Sequence, residues 1–212
     1  MSRVAFILPG YLSSTDEENY QRVAEIYRQS SFQVEKLDIE WEKDFWNNCN
    51  KVKNLIEKRR EEYDSPETHF FGHSWGSAVL LTISPNFNPK TQVLASLSPD
   101  FKEDDEHYFY LWKKLAPVFQ ILLSPFYDIP EELDERPSLE EKGDKIESDL
   151  YLIYGEREYN GFMDISSLGM GGKITENRRQ ILDCEEIIVK GATHSMTSDH
   201  YIEQIEEIVA KL

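Results

Sequence analysis

A chain of 212 residues, 40% of them apolar, is the size of one α/β domain and long enough to bury its own core. Its 40 acidic and 23 basic residues leave a formal charge of −17, a field that repels DNA, RNA and anionic lipid surfaces, so no nucleic-acid partner is expected and the acid serves chiefly for solubility. Two cysteines, Cys49 and Cys184, form neither a disulfide framework nor a metal spacing, and no apolar run reaches the roughly 20 residues that cross a bilayer; both point to a cytoplasmic protein without a transmembrane segment.

RVAFILPG (3–10) reads as a buried strand ended by Pro9-Gly10, and the acidic segment after it marks a first strand and not a signal peptide. Residues 16–30 follow as a helix with Thr15 or Asp16 near its cap. FQVEKLDI (32–39) is a second strand and 43–62 a highly charged helix. THFFG (68–72) is a third strand, 75–84 a helix, and TQVLASLS (91–98) a fourth strand. DLYLIYG (149–155) and CEEIIVKG (184–191) are the fifth and sixth, before a terminal helix at about 197–211. This alternation predicts an α/β fold: a sheet of about six mostly parallel strands with helices on both faces.

Residues 1–212 are expected to form that single domain, with a cap or insertion at about 100–147 that breaks the alternation. This segment carries HYFYLWKKLAPVFQILLSPFY, interrupted by Pro117 and Pro125. One reading is a helical cap, with some of Tyr108, Tyr110, Trp112, Phe119 and Phe126 facing a site; the other is a pair of core-facing helices.

The stretch FFGHSWGSAVLL (70–81) places Ser74 between Gly72 and Gly76, where a strand pattern becomes a helix pattern. A serine hydroxyl is a weak nucleophile until a base takes its proton. At a tight strand-to-helix turn it is pushed out of the sheet's end, and flanking glycines let the chain turn without steric conflict. The helix that follows directs N–H groups at negative charge developing beside it. By chance alone, a Gly-x-Ser-x-Gly arises in roughly one of fifteen chains of this length at average composition, so the rest of the chain must carry the inference.

In that combination the sequence resembles the α/β-hydrolase family, in a short form, over nearly its whole length except the segment at about 100–147. The resemblance implies a three-layer α/β sandwich and a serine hydrolase whose nucleophile, acid and histidine come in that order. KGATHSM (190–196) sets His194 on the loop between the last strand and the final helix, where the family keeps its catalytic histidine. YLIYGEREYNG sets Glu158 at the position of the acid, a departure from the family's usual Asp. Asp100, just past the fourth strand, is the rival acid; Asp128 and Asp164 are further candidates. The resemblance also implies an oxyanion hole built from the N–H of Trp75 and, from the loop LPGYLSS, that of Tyr11, with Leu12 as the alternative. His73 is expected to pack the elbow and not to act as a second base. Chemistry of this type needs no metal or other cofactor. The substrate implied is a small molecule bearing an acyl group, a carboxylic ester or thioester. A peptidase or amidase would use the same residues, and a binding protein that keeps the fold without the chemistry is the third reading.

Overall fold

The computed structural model describes residues 2–42, 44–64, 66–97, 137–143, 145–159, 178 and 181–212. Six strands form one sheet: β1 (Arg3–Leu8), β2 (Gln33–Lys36), β3 (Glu67–His73), β4 (Thr91–Ala95), β5 (Asp149–Gly155) and β6 (Glu185–Val189). Their order is β2-β1-β3-β4-β5-β6, and every pairing between neighbours is parallel.

The strand sequences are apolar in succession because both faces are covered. Val4, Phe6, Leu8, Phe70, Leu94, Leu152 and Tyr154 pack toward α2 (Phe45–Arg60) and α3 (Trp75–Ile83). Ala5, Ile7, Phe71, Val93, Ala95 and Ile153, the residues in between, pack toward α1 (Glu18–Gln29) and the C-terminal helix α6 (Asp199–Val209). The result is a three-layer α/β sandwich. Two short α-helices, α4 (Leu139–Gly143) and α5 (Glu156–Tyr159), and a 3₁₀ turn at Ser84–Asn86 are also described.

The strand order reverses at β1. The chain leaves β1 for β2 on one side, then crosses back to β3 on the other, so the connections after β1 and β3 part to opposite faces. In a parallel sheet such a switch point opens a crevice at the carboxyl ends of the strands. Residues 9–12 and Ser74 lie at the ends of these two strands.

Several boundaries differ from the sequence reading. β2 spans only 33–36 where 32–39 was expected, because it is an edge strand paired on one side. β4 stops at Ala95 and not at residue 98, since Ser96 turns to φ 48°. The cap of α1 is Glu17, without a side-chain bond, directly after Thr15 and Asp16. Thr15 is buried instead, its hydroxyl and N–H both bonded to the Asp38 carboxylate. Of the expected insertion, 137–143 and 145–147 are described: Leu139 is fully buried in the core beside α2 and α3. The aromatic stretch 101–127, cap or core helices, lies outside the described residues.

Of the described glycines, the one held closest to other backbone is Gly76, where α3 meets the end of β1. A Cβ on Gly76 would stand 2.3 Å from the Pro9 carbonyl oxygen and 2.7 Å from that of Leu8. Both are main-chain atoms that no rotamer change can move. Gly76→Ala is therefore expected to cost about 3 kcal/mol in urea unfolding, the upper end of ordinary overpacking. A loss below about 0.5 kcal/mol, the level of a neutral surface change, would show that the helix can withdraw from β1 freely.

Candidate functional site

From Thr68 to Ser84 every residue is buried except Ser74. The exception has a backbone cause. Ser74 sits at φ 52°, ψ −120°, a conformation that L residues rarely adopt and that costs of order 1–3 kcal/mol. It turns the chain from β3 into α3 within one residue and sets the side chain at the rim of the sheet. Its N–H donates to the Ala95 carbonyl at 2.9 Å, and its own carbonyl accepts from Ser77 N–H at 3.0 Å. The flanking glycines do not carry the unusual torsion; neither has a positive φ. They give room: a Cβ on Gly72 would lie 2.7 Å from Ser77 Cα.

Trp75 is the first residue of α3, so its N–H belongs to the helix's N-terminal turn, whose amides have no intrahelical acceptor. The loop after β1 runs alongside: a Cβ on Gly10 would stand 3.4 Å from that of Ser74. Tyr11 follows, its ring meeting Trp75 edge-on at 4.6 Å between centroids. Trp41 and Phe45 close around the same indole, with centroids 5.8 Å from it. Leu12, the alternative to Tyr11, is exposed and held at φ 61°.

His194 and Glu158 converge on Ser74 from two further strands. His194, on the loop after β6, lies with Nε2 3.0 Å from Ser74 Oγ and Nδ1 2.9 Å from Glu158 Oε1. Glu158, on α5 directly after β5, is 8% exposed. A carboxylate oxygen on Nδ1 assigns the proton to that nitrogen, which leaves Nε2 to accept from the serine hydroxyl. Asp100, Asp128 and Asp164 lie outside the described residues.

One hydroxyl that the sequence reading did not single out holds the second carboxylate oxygen, and a second, also not singled out, lies against the first. Ser96 Oγ donates to Glu158 Oε2 at 2.8 Å, and Tyr201 Oη lies 3.0 Å from Ser96 Oγ and 2.8 Å from the Ile153 carbonyl. That carbonyl already accepts Ser96 N–H at 2.7 Å. Tyr201 sits on the buried face of α6, where spacing reads it as one more core residue. Among the described residues no group of three or more His, Cys, Asp or Glu is placed to hold a metal ion, and no helix is long and apolar enough to cross a membrane.

His73, beside Ser74 in sequence, is 7% exposed. Its Nδ1 lies 2.8 Å from Tyr20 Oη and its Nε2 2.9 Å from the His194 carbonyl oxygen. Burial, reinforced by the neighbouring His194 imidazole, pushes its pKa down to about 4. It is thus neutral near pH 7, as a packing residue would be. The consequence for stability has a definite sign. Unfolded, the imidazole takes up a proton below about 6.5; folded, it stays neutral until about 4. The folded state therefore loses stability relative to the unfolded one as pH falls through that window, by about 3 kcal/mol in total. His73→Gln cannot titrate. Urea unfolding of both proteins between pH 7 and 4 should show the wild type losing that much more; parallel curves would mean that His73 protonates without penalty.

No protein-family model matches the sequence, and no curated protein sequence is recognisably similar to it. Solved structures are similar in three dimensions. An esterase from Pyrococcus furiosus superposes with a TM-score of 0.69 at 16% identity, over 99% of this chain and 81% of that one. Est1E from Butyrivibrio proteoclasticus does so at 0.67 and 15%, over 99% and 86%. Alpha/beta hydrolase domain-containing protein 10 from mouse gives 0.66 and 12%, over 100% and 89%. At such identities the likeness is one of fold, and the fold of this chain is that of the α/β hydrolases.

Proposed function

We propose that the protein is a serine hydrolase that cleaves a carboxylic ester or thioester of a small molecule through an acyl-enzyme. The observation that carries this reading is the unbroken chain from Ser74 Oγ to His194 Nε2 at 3.0 Å and from His194 Nδ1 to Glu158 Oε1 at 2.9 Å. The name of a structural neighbour, the esterase from Pyrococcus furiosus, favours the same class.

In this reading Ser74 Oγ attacks the acyl carbon while its proton passes to His194 Nε2. The Glu158 carboxylate faces the resulting imidazolium through Nδ1–H and stabilises its charge. The carbonyl oxygen of the substrate becomes an oxyanion, met by the N–H groups of Trp75 and Tyr11. His194 then returns the proton to the departing alcohol or thiol. Water attacks the acyl-serine by the same route in reverse, releasing the acid and restoring Ser74. Glutamate in place of the usual aspartate is accommodated because Glu158 sits on α5, one turn past the strand. Its second oxygen is taken up by Ser96.

The protein is expected to work in the cytoplasm, without a cofactor or nucleic-acid partner. Ser74→Ala should abolish labelling by a fluorophosphonate probe together with esterase activity, while circular dichroism stays that of the wild type. Undiminished turnover in that variant would end the proposal. The acid is decided by a pair of changes. Glu158→Gln should lower kcat/KM by as much as ~10⁴, or ~5 kcal/mol in the barrier, by analogy with an aspartate-to-asparagine change in a catalytic triad. Asp100→Asn should cost far less. If Asp100→Asn is the crippled variant and Glu158→Gln turns over normally, Glu158 is not the catalytic carboxylate.

A further inference from the structure

The His73 ring is a link in a buried chain that ends on the catalytic loops at both sides. At one end Gly10 N–H lies 3.0 Å from Tyr20 Oη, and at the other the His194 carbonyl oxygen lies 2.9 Å from His73 Nε2. Between them Tyr20 Oη and His73 Nδ1 are 2.8 Å apart. The ends leave no freedom in the assignment of protons. A peptide N–H can only donate, so the Tyr20 oxygen accepts from Gly10; the Ser13 side chain hydrogen-bonds to the same oxygen. The one Tyr20 proton is then directed at His73 Nδ1. A carbonyl can only accept, so Nε2 of His73 carries the proton. The chain runs one way: Gly10 N–H to Tyr20 O–H, Tyr20 to His73, His73 N–H to the His194 carbonyl. Bonds aligned in this way polarise one another in the same sense. Its two inner bonds, Gly10 to Tyr20 and Tyr20 to His73, are buried, where an unmade bond costs about 1–3 kcal/mol; the link to His194 is part-buried.

We propose that Tyr20 and His73 are positioning residues: a two-residue strut that couples the oxyanion loop after β1 to the histidine loop after β6 and holds His194 in register with Ser74. This rests on the reading of Ser74 and His194 as nucleophile and base. The strut spans the elbow from behind. His73 precedes Ser74 in the chain, its ring centroid is 5.3 Å from that of His194, and Gly10 precedes Tyr11. Because Gly10 N–H is committed to Tyr20, the orientation of the Gly10–Tyr11 segment is tied to the position of His194. The two loops that must act in concert are thus joined through a neutral imidazole that takes no proton from the substrate.

The test combines kinetics with imidazole NMR on the full chain. Tyr20→Phe keeps the buried ring and removes only the hydroxyl; His73→Leu removes both ring nitrogens. Each should lower kcat by about 10- to 100-fold with KM little changed, the size expected for a small misplacement of reacting groups. The double variant should be hardly worse than His73→Leu alone, since both break one chain. His73→Gln should recover most of kcat, because its amide can accept from Tyr20 and donate to the His194 carbonyl. In ¹⁵N spectra at pH 7, His73 should be the Nε2–H tautomer, and Tyr20→Phe should shift the His194 Nδ1–H proton that faces Glu158. Full kcat and an unshifted His194 proton in Tyr20→Phe would overturn the strut. So would strictly additive losses that follow thermal stability with no rescue by glutamine. A wild type that neither cleaves esters nor takes up a fluorophosphonate defeats the hydrolase reading instead, and the NMR comparison still decides whether Tyr20 and His73 hold His194 in place.

Discussion

The contact between α3 and the end of β1 governs the rest of the site. At residue 76 the helix backbone lies so close to the Leu8 and Pro9 carbonyls that only hydrogen fits between them. That approach draws the N-terminus of α3 up to the switch point of the sheet. It forces the reversal of direction into one residue, Ser74, which takes the positive φ. With a larger residue at 76, α3 would sit further out and the loop after β1 would lose its place beside the serine. The strain at Ser74 persists because both neighbours are fixed by packing: β3 is buried from Thr68 onward, and α3 is buried along its full length.

Around that elbow the molecule is wired by hydroxyls placed on otherwise apolar surfaces. Tyr20 lies on the buried face of α1 and Tyr201 on that of α6, and the two helices pack side by side against one face of the sheet. Each sends its phenol to the carboxyl ends of the strands. Tyr201 reaches Ser96 and, through it, Glu158; Tyr20 reaches His73. The two networks meet at the His194 carbonyl, which lies 2.9 Å from His73 Nε2 and 3.2 Å from Ser96 Oγ. A buried phenol without a partner is costly. The same requirement that satisfies the core therefore also fixes the loops above it.

Charge is distributed in a way that keeps this arrangement separate from the acidic surface. The ion pairs of the exterior, such as Arg22 with Asp199 and Lys36 with Asp16, involve exposed carboxylates and contribute little each. Glu158 is different: it is buried, it faces an imidazole, and its other oxygen accepts a hydroxyl. Among many acidic side chains, position and not abundance distinguishes the one in the site.

The layer architecture was legible in the sequence because burial on both faces leaves continuous apolar strands separated by amphipathic helices, a pattern local enough to be seen in windows of ten residues. Ser74 and His194 were legible for a related reason: strand ends can be counted along the chain, and the resemblance to the α/β hydrolases says which strand ends to inspect. Glu158 could be placed by the same counting, but only with Asp100, Asp128 and Asp164 beside it. Which carboxylate faces Nδ1 depends on the pairing of β5 with β4 and β6, a contact between segments more than thirty residues apart. The torsion at Ser74 is likewise tertiary: its sequence reads as a glycine-permitted turn, and only the packing of α3 on β1 transfers the strain to the serine. Tyr20, Ser96 and Tyr201 were invisible in the chain. An aromatic at helical spacing reads as core, and whether its hydroxyl ends in apolar surroundings or on a loop beside Ser74 is decided by which elements fold against it.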